Sequence, residues 1–191
     1  MGIFKKKLEM PQAMMMFSNS VISDSQKTWP DVVNCITNNG FNIENEDEGY
    51  GVWVTGMFAL DALHTYQILD SRIASSIVKD VGYTFDFRIE KLKDWPPILK
   101  EMYDFFCYVY LNDEKEYGKN PIPQNLPPMT TSMTIMMGII LGYKNINNTD
   151  SIPYNSPRTQ KMFNEFFSIV MKSIGIWDKI NKKYRVNWLA D

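Results

Sequence analysis

Apolar residues recur along most of this chain at the three-and-four spacing of helices buried on one side. From Pro11, a favourable first-turn residue, the pattern runs through Met14-Met15-Met16-Phe17 toward Ile22. A second helix is expected from Thr28-Trp29-Pro30-Asp31, where Thr28 is placed to cap and Asp31 to complete a capping box. Its expected end is Asn38-Asn39-Gly40, with glycine supplying a left-handed exit. From Val52 to Leu69 a helix would be apolar on nearly every side, which marks it as central.

Period two competes with this pattern in the middle of the chain. Phe41, Ile43, Tyr50, Val52 and Val54 alternate around the acidic stretch Glu44 to Glu48, so a short antiparallel hairpin is an option there. Arg72 to Leu92 fits both periods, and a helix ending near Gly82 followed by a short strand over 83–90 is the reading preferred. Asp94 then caps a helix with Leu99, Met102, Phe106, Val109 and Tyr110 on its apolar face. Gly118 to Pro128, with four prolines, reads as a stiff surface loop. A buried helix over Met129 to Tyr143 follows, and a last long helix opens at Ser156-Pro157. That helix carries Phe163, Phe166, Val170, Ile174 and Trp177 on one face. The expected fold is mainly α: one globular domain over 1–191, bundle-like, with six or seven helices. A small hairpin or sheet within 41–90 is the variant of it.

Composition narrows the function more than it names it. Twenty basic against 22 acidic residues leave a net charge of -2, without the basic excess that nucleic-acid binding needs. Lysine outnumbers arginine sixteen to four, and Asn and Ile are abundant, which suits an AT-rich genome. The basic residues Lys179, Lys182, Lys183 and Arg185 fit the C-terminal end of the last helix, where they complement its dipole. Two distant cysteines, Cys35 and Cys107, lie in apolar helical patterns and read as reduced, buried thiols of a cytoplasmic protein. Lys5, Lys6 and Lys7 resemble the start of a signal peptide, but Glu9 and Pro11 interrupt and Ala13 to Phe17 is too short a core. The uncharged stretch Met129 to Tyr143 is likewise too short to cross a bilayer.

Chemistry-bearing patterns are few. One histidine, His64, excludes multi-histidine metal motifs, and no metal or cofactor is expected. Asp61 and His64, three apart on the central helix, are half of a triad without a nucleophile motif. A structural hydrogen-bonded pair in the core is the simpler reading. Laid on the calcium-loop template, the acidic stretch ends at Thr55 where a bidentate carboxylate is required, and it fails. Gly49-Tyr50-Gly51 lacks the third glycine of a dinucleotide fingerprint. The methionine clusters Met10, Met14–Met16 and Met129, Met133, Met136, Met137 read first as core filler.

These exclusions favour a non-enzymatic cytosolic interaction protein: an inhibitor, immunity-type or adaptor module. Its recognition residues would be Glu44, Glu46, Asp47, Glu48, Tyr50 and Trp53, and its partner a protein with a basic patch. The second reading is a helical module that takes an apolar small molecule or peptide in a Met-rich groove. The third is a hydrolase-like enzyme using Asp61 and His64.

Overall fold

The computed structural model describes residues 5–68, 128–142 and 155–187, and these are mostly helical. In chain order they form β1 (Lys6–Glu9), α1 (Met10–Asn38), α2 (Glu46–Ile68), α3 (Pro128–Ile140), α4 (Pro157–Ser173), α5 (Ile176–Lys183) and β2 (Tyr184–Asn187). No helix among them is long and apolar enough to cross a membrane. The Arg72–Leu92 segment, the helix expected after Asp94, Cys107 and the proline-rich 118–127 lie outside the described residues.

The two helices expected before Gly40 are one. Helix α1 runs unbroken through Pro30, and Thr28, expected as a cap, sits inside it with its hydroxyl donating to Asp24 O at 2.7 Å. Pro30 cannot donate to the Gln26 carbonyl, but both residues are exposed, so water can serve that carbonyl. What holds the helix together is its buried stripe: Met14, Phe17, Val21, Ser25, Val32, Cys35 and Ile36 continue on one face past the proline. The end falls where the glycine places it. Gly40 has φ 70, its N–H reaches Thr37 O at 2.8 Å, and that of Phe41 reaches Ile36 O at 3.0 Å. This pair of bonds is a Schellman motif.

The hairpin option at 41–55 gives way to helix. Asn45 Oδ1 accepts the Glu48 N–H at 3.2 Å, an N-cap interaction, and α2 starts in the acidic stretch itself. The observed sheet is elsewhere and parallel: β1 pairs with β2 in the register Lys6–Tyr184 to Glu9–Asn187. Helix α4 begins as expected, with Pro157 in its first turn and Ser156 Oγ accepting from Thr159 N at 3.1 Å. It does not reach Trp177. The chain extends at Ile174, turns through Gly175 at φ 91, and restarts as α5.

Helix α2 packs against α1 and α3, while α4 and α5 close over α1. Large rings fill the space between. Trp177 stacks on Phe17 with centroids 5.0 Å apart, Phe58 meets Phe17 edge-on, and Trp53 meets Phe166 edge-on at 5.7 Å. Such pairs contribute about 0.5–1.5 kcal/mol each beyond the area they bury. Met133, Met136 and Met137 on α3 are wholly enclosed in this core.

Candidate functional site

Where α4 stops, Gly175 takes a left-handed conformation that disfavours side chains, and it therefore has no side chain to cap α5. The cap comes from α2. Asp61 Oδ1 accepts the Gly175 N–H at 2.8 Å and the Ile176 N–H at 3.1 Å, placing a carboxylate on the positive end of the short helix. Asp61 is buried, and burial raises its pKa from the ordinary 3.8 to about 6. The Ile176 and Gly175 N–H groups, then His64 and Lys179, pull the other way by favouring the ionised form.

His64, one turn along α2, turns its Nε2 to Asp178 Oδ2 at 3.1 Å. Asp61 and His64 thus serve different partners on α5, and the expected bond between them is replaced by two bonds across the fold. The imidazole is also less enclosed than a core residue: its side chain is 22% exposed and that of Asp178 45%. Beside them Lys179 bonds Asp24 of α1 at 3.4 Å, completing a polar seam over three helices. Among the described residues, no hydroxyl or thiol hydrogen-bonds His64 as an activated nucleophile would. Nor does any group of three or more His, Cys, Asp or Glu stand ready for a metal ion among them.

The acidic residues occupy the opposite end of α2. Glu46, Asp47 and Glu48 form its first turn, where they face the positive end of the helix dipole. Glu44, Glu46 and Asp47 are exposed. Tyr50 is half-buried and meets Trp29 of α1 edge-on, with ring centroids 5.7 Å apart; burial pushes its phenol pKa up. Gly49 makes that approach possible, because a Cβ there would lie 3.1 Å from both Trp29 Cη2 and Ile43 Cγ2. The result is a half-exposed shelf of Trp29, Ile43 and Tyr50 beside the carboxylates.

Trp53 is not part of that surface. It is fully buried against Phe166, and its Nε1–H donates to Ser25 O at 3.1 Å. Closeness in sequence to the acidic stretch is what puts Trp53 among the candidates; it lies one turn further into α2 than Tyr50, and there the helix packs on Ser25 and Phe166 and leaves no open surface. Trp29 and Ile43 were the missed members of the shelf. Their signal was Gly49-Tyr50-Gly51, since two glycines inside a helix cost stability and mark a close approach. Gly175 and Asp178 were missed because their partners lie more than a hundred residues away. Comparison with family models, with curated proteins and with solved structures finds no match to this chain.

Proposed function

We propose that this protein is a non-enzymatic cytosolic interaction module, an inhibitor, immunity-type or adaptor protein, that meets a basic patch on another protein. The single observation that carries the reading is the adjacency of exposed Glu44, Glu46 and Asp47 to the half-exposed Trp29–Tyr50 pair. Rings that are largely fixed by packing cost little entropy on binding, and neighbouring carboxylates steer a basic partner toward them. Trp53 supports the shelf from within the core and makes no direct contact in this reading. The Met-rich groove finds less support, because Met133, Met136 and Met137 have no exposed surface to line one.

The test is affinity capture from the native host with the wild-type chain and with a Glu44→Gln/Glu46→Gln/Asp47→Asn variant. A specific protein held by the first and lost or weakened with the second supports the reading. Retention of every captured protein by both, at low salt, removes the acidic face from recognition.

A further inference from the structure

The basic residues near the two ends of the sequence are brought together by the parallel strand pair. Lys7 and Arg185 are register partners, and Lys6 is opposite Tyr184. Lys5, just ahead of β1, reaches the Asn181 carbonyl of α5 with its Nζ at 2.6 Å. Lys182 and Lys183 close α5 immediately before β2. Lys5, Lys6, Lys7, Lys182, Lys183 and Arg185 are all exposed, and none forms an ion pair among the described residues. Lys27, Lys161 and Lys179 elsewhere do pair with carboxylates.

The helix dipole accounts for Lys182 and Lys183 but not for the strand residues. Alternation puts Leu8 and Val186 inward, where both are buried, and turns Lys7 and Arg185 to the outer side. Like charges on directly paired strand positions are destabilising. Among the described residues no carboxylate forms an ion pair with them; Glu9 accepts from Asn187, and Asp178 meets His64. The acidic start of α2 packs near Trp29, nineteen residues along α1 and so roughly 30 Å from its start beside β1, about three Debye lengths away.

We infer that the outer side of this strand pair, centred on Lys7 and Arg185, binds the phosphate plane of an anionic lipid bilayer. Five of the six exposed cations in and beside the strands are lysines, point charges suited to a diffuse anionic plane rather than to bidentate readout of one group. Nucleic acid is the less suitable polyanion. The ring of Tyr184 is half-buried with the Lys183 ammonium 5.5 Å from its centroid, so it is no open stacking platform. Of the two helices that adjoin the strands, α5 presents its C-terminal end and buries Ile176, Trp177 and Ile180, and α1, which follows β1, carries no Lys or Arg before Lys27, so neither offers a basic recognition helix for a groove.

The experiment is co-sedimentation of the full chain with vesicles of phosphatidylcholine alone and of phosphatidylcholine mixed with phosphatidylserine, at low and physiological salt. Binding to the mixed vesicles only, weakening with salt, is expected. Lys7→Gln/Arg185→Gln should lower it about tenfold or more, and Lys172→Gln on α4 should leave it unchanged. The double variant should melt no lower than wild type, because it removes a repulsion, so lost binding cannot be lost folding. The inference is overturned if mixed vesicles fail to bind at low salt, if neutral vesicles bind equally, or if the double variant binds like wild type. It is equally overturned if a duplex oligonucleotide displaces the chain from vesicles at matched phosphate concentration.

Discussion

Asp61 on α2 holds the N–H of Gly175 at 2.8 Å, so the start of α5 is capped by a residue 114 positions earlier in the chain. Two buried donors depend on that one oxygen. Removing it in Asp61→Ala strands both and should cost about 2–3 kcal/mol, read as a lower urea midpoint. Asp61→Asn keeps an acceptor and should lose less.

The same residue makes stability depend on pH. Its folded pKa of about 6 lies above the ordinary 3.8, so the native state holds the proton more tightly than the unfolded chain. Its contribution is therefore fully present below about pH 4 and declines as pH rises through about 6, to a total of roughly 3 kcal/mol. Other carboxylates also titrate in this range, so the quantity to measure is wild-type stability minus that of Asp61→Asn. That difference should fall between about pH 4 and about pH 7 and then level off. A flat difference across the window would mean that Asp61 is not held at a raised pKa.

The acidic start of α2 changes sign as a stability element once its place is known. As a loop, four carboxylates would only repel each other, and neutralising them would help or do nothing. At a helix N-terminus each carboxylate contributes about 0.3–1 kcal/mol at low ionic strength. We expect Glu46→Gln/Asp47→Asn/Glu48→Gln to lower the melting temperature at low salt by a few degrees, equivalent to about 1 kcal/mol. The deficit should shrink at high salt. A higher melting point for the triple variant would show that repulsion outweighs the dipole.

Cys35 should resist alkylation in the folded protein. It is buried, its thiol donates to Met162 O at 3.4 Å, and burial, with Glu165 adding to it, pushes its pKa up to about 11. The reactive thiolate is then scarce at neutral pH. Mass spectrometry after iodoacetamide should find Cys35 unmodified in buffer and modified in urea, and Cys35→Ala should cost about 1 kcal/mol. Rapid native labelling would place Cys35 on a surface.

Local signals in the sequence placed the helix stop at Gly40, the Ser156 cap and the buried α3, because each is decided within a few residues. The break expected between Ile22 and Thr28 failed for the complementary reason. Thr28-Trp29-Pro30-Asp31 has the local form of a helix start, but the buried stripe from Val21 and Ser25 to Val32 overrides it. Nothing local could pair Lys7 with Arg185, or send Asp61 to Gly175 and His64 to Asp178. Those contacts exist only after α5 has docked on α1 and α2.

His64 decides between the binding and the enzymatic reading. Sequence periodicity made it a core residue, yet the fold leaves it partly exposed with Nε2 on Asp178. A carboxylate-held imidazole is the arrangement a general base needs, but among the described residues no nucleophile hydrogen-bonds it. The alternative is that His64 fastens α5 to α2 beside the Asp61 cap. His64→Gln can still donate to Asp178, and on the fastening role it should cost about 1 kcal/mol, with partner binding intact below its melting point. Asp178→Asn should cost a similar amount and should do so less than additively with His64→Gln, since both remove one bond. Urea denaturation of the two single variants and the double variant gives that coupling. Normal folding of His64→Gln with complete loss of the protein's activity would instead assign the pair to catalysis.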